Sequence, residues 1–207
     1  MKIVIQTETP DDYREVEILT REAFWNVYKP GCDEHCVLHC FRERDNFIKE
    51  LSLVLKLDDK IIAHIMYAVT QIRCDDGTVL PIAVFGPVSV LPRFQRQGYG
   101  SKLIAYSLQK AKMLGYGAIA ITGNPDYYSR FGFISGPEMG IYYEGIPRTE
   151  PTPFFMVKEL KDGYLQGISG TYSDPDGYSV SSECVSVFDA QFEPKEKLKL
   201  PGQIFGQ

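Results

Sequence analysis

The chain has 207 residues, the length of one domain or one domain with an appendage. It is 44% hydrophobic and 24% charged with a net charge of −5, an ordinary globular composition. No basic patch points to nucleic acid, and no apolar run approaches the length of a membrane span. The start, MKIVIQTETPDDY, carries no secretory pattern, so the five cysteines are expected as reduced thiols in the cytoplasm.

In chain order, Lys2 to Gln6 alternates like a short strand. Thr9 is placed to cap a helix, with Pro10 at its first position and Asp11 and Asp12 in its first turn. Ile18, Leu19, Phe24 and Trp25 supply that helix with an apolar side, and Lys29-Pro30-Gly31 breaks it. Asp33 to Arg44 reads as a second, short helix. Leu51 to Leu57 and Ile61 to Ile72 are strands joined by Asp58-Asp59-Lys60. Asp75-Asp76-Gly77 is a second hairpin turn, leading into a central strand from Leu80 to Leu91. Ser101 to Met113 is a helix burying Leu103, Ile104 and Leu108 and ending at Gly115. A buried strand follows at Ala118 to Thr122, then a short helix at Asp126 to Arg130 and a strand beginning at Phe133. Phe154 to Leu160 is the last core strand. Beyond it, Gly, Ser, Asp and Pro are frequent, the strand signals are short (Gly167 to Tyr172, Val185 to Phe188), and Glu193 to Lys197 reads as a solvated tail.

The most informative stretch lies between the central strand and the helix after it: Gln95-Arg96-Gln97-Gly98-Tyr99-Gly100. A helix start carries backbone N–H groups without intrahelical acceptors and the positive end of the helix dipole. Glycines at 98 and 100 let backbone close around an anion without a Cβ in the way. The turn therefore suits a phosphate, above all a pyrophosphate. GxxxxGK[ST] and GxGxxG are both absent, which sets aside Walker and dinucleotide-fold loops.

The pattern Q/R-x-x-G-x-G resembles the pyrophosphate-binding motif of the GCN5-related N-acetyltransferase (GNAT) superfamily. Asn124-Pro125-Asp126-Tyr127-Tyr128-Ser129-Arg130-Phe131-Gly132-Phe133 resembles a second signature of that superfamily, one helix and one strand downstream. Phe24 to Tyr28, Pro30 to His35 and Asp126 to Phe133 further resemble a YhbS-type group of bacterial N-acetyltransferases. The resemblance implies an α/β (α+β) fold with a mixed, mostly antiparallel central sheet flanked by helices. It covers a domain over 1–160, leaving 161–207 as a C-terminal extension of short strands and tail. It implies transfer of acetyl from acetyl-CoA, the co-substrate, directly to a primary amine of a small molecule or peptide, with no metal. A non-catalytic acyl-CoA binding or sensing module is the alternative. No nucleic-acid or membrane partner is expected, and a homodimer is open.

On that resemblance, backbone N–H groups from Arg96 to Ser101 hold the pyrophosphate, with side-chain contacts from Gln95 and Arg96; Gln97, Gly98, Tyr99 and Gly100 complete the cradle. Main-chain groups of Val88, Ser89 and Val90 meet pantetheine and the thioester, where Gly86-Pro87 suits a break in strand pairing. Asn124 lies on the cofactor side, closer to Tyr128 than the family's usual spacing. Tyr128 aligns with the family's general acid. A phenol with a pKa of about 10 stays protonated at neutral pH and can donate to a thiolate leaving group whose thiol has a pKa near about 8.5. The central strand holds no acid, so Glu34 and His35 are the leading candidates for the base, with His64 behind them. Cys32, His35, Cys36, His39 and Cys40 fall on one helical repeat, but one helix presents only two or three ligands to an ion, and small buried thiols are the favoured reading.

Overall fold

The computed structural model describes residues 2–204. It divides into two compact units, one of Met1–Met66, Pro87–Ile104 and Asp176–Gln207, the other of Tyr67–Gly86 and Ala105–Pro175. The strand pairings are mixed and mostly antiparallel, with helices alongside, which is the expected fold class.

In the first unit, β1 (Ile3–Thr7) pairs antiparallel with β2 (Leu53–Leu57), and β2 with the first half of β3 (Lys60–Cys74). The two-residue link Asp58-Asp59 has positive φ at both positions (45° and 68°), which matches the right-handed twist of a tight hairpin. Thr9 accepts the N-cap role as expected, through a reciprocal bond with Asp12, and a 3-10 turn over Pro10–Asp12 leads into α1 (Tyr13–Phe24). The buried face of α1 is Val16, Glu17, Leu19, Thr20 and Arg21. Ile18 is 45% exposed, which corrects its expected place in the core: the period that buries Val16, Leu19 and Thr20 turns position 18 outward. α2 (Glu34–Phe41) is shorter than the sequence suggested and packs Cys36, Leu38 and Phe41 inward.

The C-terminal segment of this unit departs most from the sequence reading. Val185 to Phe188 lies in a helix, α5 (Ser182–Asp189), not a strand. Ser181 caps it, accepting from Cys184 N at 3.1 Å, and Glu183 sits in its first turn. Cys184 and Phe188 then share a helical face, a spacing that a two-residue strand period obscures. Residues 193–197 are mostly exposed, as expected of a solvated tail, and are also held at specific points. Trp25 Nε1 and Asn26 Nδ2 both donate to Glu196 O (2.9 and 3.0 Å), and Lys195 pairs with Glu22 at 2.9 Å.

In the second unit, the rest of β3 forms a hairpin with β4 (Val79–Val90), closed where Cys74 N donates to Thr78 O at 2.9 Å. β4 runs parallel to β5 (Ala118–Thr122), and β5 antiparallel to β8 (Phe155–Glu159). β8 also pairs with β6 (Ile134–Ser135), so the strand expected from Phe133 begins one residue later. β7 (Ile141–Tyr143) pairs parallel with β9 (Gly170–Tyr172), which edges β3. The aromatic core here includes Tyr67, Phe133, Phe155 and Tyr172, with the last two rings stacked 4.8 Å apart. α3 (Tyr99–Met113) starts in the first unit and ends in the second, burying Leu103, Ile104 and Leu108 as expected. α4 (Pro125–Tyr128) is a single short turn.

Candidate active site

β4 regularly pairs with β5 only at Ala83–Ile119 and Val84–Ala120. Gly86 then takes φ +149°, and Pro87 brings no N–H to any ladder. The strand end 87–90 belongs to the first unit. There Ser89 is fully buried, its hydroxyl donating to Thr20 Oγ1 at 3.0 Å, while Val88 and Val90 are half-buried. Leu91 N donates to Ile62 O at 2.9 Å, which anchors the strand end just before the turn.

The turn is built from its own side chains. Pro92–Phe94 makes one 3-10 turn. Gln95 Nε2 donates to Val90 O at 3.0 Å, and Gln97 Nε2 to Arg93 O at 2.8 Å. These two amides hold the loop in shape, a role the sequence did not indicate for Gln95. Arg96 and Gly98 both take positive φ, 59° and 86°. Left-handed residues on either side of Gln97 curl the backbone into a concavity of the kind that binds anions. An added Cβ at Gly98 would meet nothing within 4 Å, so the space beside it is open. A backbone bond from Lys102 N to Gly98 O at 3.0 Å ties the opening of α3 to the turn. Arg93 and Arg96 are exposed there, with the Arg93 guanidinium 4.9 Å from the centre of the Phe94 ring.

Tyr128 closes α4 in the second unit. Asn124 caps this turn, its Oδ1 accepting from Asp126 N at 2.9 Å, so the amide is engaged in holding α4. The Tyr128 ring is half-buried against Phe85 (centroids 5.9 Å apart), Phe133 (6.1 Å) and Tyr127 (4.9 Å). It also lies over Gly123, where a Cβ would come within 2.6 Å of the ring, so position 123 takes no side chain without moving the tyrosine.

The base candidates separate clearly. Glu34 is in the first turn of α2, half-buried, with Oε2 accepting from Asp33 N at 3.1 Å. Burial pushes its carboxyl up to about 7, Asp33 adding to the effect and Lys29 opposing it. His35 is fully buried, which corrects its expected place facing an acceptor. Its Nε2 lies 3.1 Å from Asp189 Oδ1, its Nδ1 3.4 Å from Cys32 Sγ, and its ring packs on Phe188 and Phe192. Burial holds it down to about 4 even though Asp189 pulls the other way. Asp189 also accepts from Arg21 Nε at 2.6 Å, so one carboxylate of α5 secures two buried nitrogen groups. His64 is fully buried too, 3.1 Å from Ser52 Oγ and 3.3 Å from Glu8 Oε2. The expected Cys/His face of α2 splits: Cys32 goes to His35, His39 to Glu17 at 2.8 Å, and Cys36 and Cys40 toward Cys184.

A strand with a curtailed parallel ladder, running into a left-handed turn at a helix start, is the frame of an acyl-CoA transferase, and the sequence carries the corresponding family pattern. Residues 16–133 match the Acetyltransferase (GNAT) family, and the chain belongs to that family of acyltransferase enzymes. It is 28% identical over 172 residues to the uncharacterized N-acetyltransferase YhbS of Escherichia coli K12, covering 81% of this chain and 93% of YhbS. A second relative is the uncharacterized N-acetyltransferase YjhQ of the same organism, 26% identical over 83 residues, or 40% of this chain and 45% of YjhQ. Among solved structures, Escherichia coli YhbS in complex with CoA superposes with a TM-score of 0.74 at 22% identity, over 86% of this chain and 92% of that one. A Brucella melitensis GNAT acetyltransferase in complex with acetyl-CoA gives 0.69 at 24% identity, over 86% and 99%. These two share the fold. Among the described residues no helix is long and apolar enough to cross a membrane.

Proposed function

We propose that this chain moves an acetyl group from acetyl-CoA directly to a primary amine of a small molecule or peptide, without a covalent enzyme intermediate. The observation that carries the reading is the turn itself: two positive-φ residues, Arg96 and Gly98, immediately before the start of α3. The CoA complexes of the two structural neighbours support it. In this reading, backbone N–H groups of residues 96–101 bind the pyrophosphate, the Arg96 guanidinium adds charge, and main-chain groups of Val88, Ser89 and Val90 bind pantetheine and orient the thioester. The Glu34 carboxylate accepts the proton the amine loses as the C–N bond forms. The Tyr128 phenol donates a proton to the sulfur as the C–S bond breaks, so the products are an amide and free CoA thiol. Five free cysteines support a reducing cytoplasm, in keeping with the bacterial relatives.

The test is CoA thiol release from acetyl-CoA across amines, polyamines, amino acids and peptide N-termini, with wild type and Tyr128→Phe side by side. Amine-dependent release that falls at least about tenfold in Tyr128→Phe, about 1.4 kcal/mol of barrier, supports the assignment. Release untouched by the substitution removes Tyr128 as the acid. Thermal stabilisation by acetyl-CoA with no release for any amine favours the second reading, a non-catalytic acyl-CoA binding module.

A further inference from the structure

Three of the five cysteines meet in a place the transfer chemistry does not use. Cys36 and Cys40 stand one turn apart on α2, so both sulfurs leave one face. Cys184, in the first turn of α5, comes to them from 144 residues further along the chain than Cys40. Its Sγ lies 3.6 Å from Cys36 Sγ and 3.9 Å from Cys40 Sγ, and all three sulfurs fall within 4.8 Å of one another. Among the described residues no other group of three His, Cys, Asp or Glu ligand atoms is gathered this way.

Geometry and access agree. Sulfurs bound at about 2.3 Å to a tetrahedral ion stand about 3.8 Å apart, close to the 3.6 and 3.9 Å at which Cys184 meets Cys36 and Cys40. The thiols line an open cavity of about 490 Å³ together with His39, Ser181 and Phe188, so the fourth position of such an ion faces solvent. Burial and the neighbouring thiols raise the Cys36 and Cys40 thiols above their usual value, with Arg44 opposing at Cys40, so an ion must displace the protons it replaces. We infer that Cys36, Cys40 and Cys184 form a three-thiolate Zn²⁺ site whose fourth ligand is exchangeable. Binding exchanges three S–H protons for one Zn²⁺ and leaves a net charge of −1, so affinity rises with pH. The bound ion fastens α5 to α2. α5 also carries Asp189, which holds Arg21 and His35, so occupancy couples to the order of that buried cluster.

The experiment uses the full chain, reduced, stripped of metal and kept anaerobic. Zn²⁺ is titrated against a chromophoric competing chelator, Co²⁺ is added separately as a spectroscopic probe, and protected thiols are mapped by alkylation and mass spectrometry. The expected result is one Zn²⁺ per chain, a thiolate-to-cobalt charge-transfer band, a raised melting temperature, and Zn²⁺-dependent protection of Cys40 and Cys184 but not of Cys74, Cys32 and Cys36 being shielded by burial already. Cys184→Ser is expected to weaken Zn²⁺ at least tenfold, while Cys74→Ser leaves it unchanged. Circular dichroism checks folding, and Cys40→Ser, at a half-exposed position, gives the same readout if the first variant misfolds. Absence of uptake, or uptake indifferent to both Cys184→Ser and Cys40→Ser, overturns the site.

Discussion

Ser89 donates to Thr20 across 3.0 Å with both side chains fully buried, fixing the end of β4 to α1. In the proposed mechanism that strand end presents its main-chain groups to the thioester, and the buried hydroxyl pair fixes where they lie. Ser89→Ala leaves the Thr20 hydroxyl without this donor and is expected to cost about 1–3 kcal/mol. Adding Thr20→Val removes the stranded partner and should recover part of that loss. Denaturant unfolding of both singles and the double checks the coupling; strictly additive losses would show that the pair does not act as a unit.

Glu34 and His35 are neighbours in sequence and opposites in environment. With the Glu34 carboxyl at about 7, kcat/KM is expected to rise with pH up to that value and then level. Glu34→Gln should lower activity by about 10²–10⁴-fold and abolish that limb, whereas His35→Gln should leave the limb in place and lower the melting temperature. Stability gives a second reading. The folded value lies above the usual 4.5, so Glu34's contribution is full below 4.5 and lost as pH rises through about 7. The pH–stability curve of Glu34→Gln should lack that decline.

Arg42 sits between two buried carboxylates, bonded to Glu8 and 2.9 Å from Glu17, with 3% of its side chain exposed. Burial alone would raise the Glu8 carboxyl, but His64, Arg42 and Ser52 together bring it down to about 2. A depressed folded value means stability present above the usual 4.5 and lost as pH falls toward about 2. Arg42→Met removes the cation that both carboxylates share, leaving Glu8 to Ser52 and His64 and Glu17 to His39, and is expected to cost about 3–5 kcal/mol near neutrality. Urea midpoints between pH 3 and pH 7 would test it; a variant as stable as wild type would show that the network contributes little.

Gly98 and Arg96 separate shape from charge in the turn. Gly98→Ala forces a Cβ onto a φ of 86°, at a folding cost of about 1 kcal/mol, and projects it into the cradle. The KM for acetyl-CoA should rise at least about tenfold, about 1.4 kcal/mol of binding. Arg96→Gly keeps the left-handed backbone and removes the cation. It should raise KM less and flatten its dependence on salt. Initial-rate kinetics at two ionic strengths distinguish the two.

Much of this architecture is legible along the chain because it is encoded locally. The glycines at 98 and 100, the apolar run before them and the amphipathic helix after them are neighbours in sequence, and backbone preference suffices to join strand, turn and helix. Thr9 fulfils its cap position for the same reason. α5 reads as a strand along the chain because its valines alternate, while its cap at Ser181 and the Cys184–Phe188 face define a helix.

Short-range backbone geometry makes most of the elements up to β8, the strand, turn and helix around Gly98, and the family pattern legible from the chain alone. Tertiary structure alone decided which titratable groups are reachable and what each one feels. His35 became a buried, neutral ring because Asp189, Phe188 and Phe192 close over it from residues more than 150 positions away. Glu34, one residue earlier, stayed half-buried and was lifted into the range of a base. Cys184 joined Cys36 and Cys40 by the packing of α5 on α2. Desolvation and ligand geometry depend on distances in space, and spacing along a chain does not carry them.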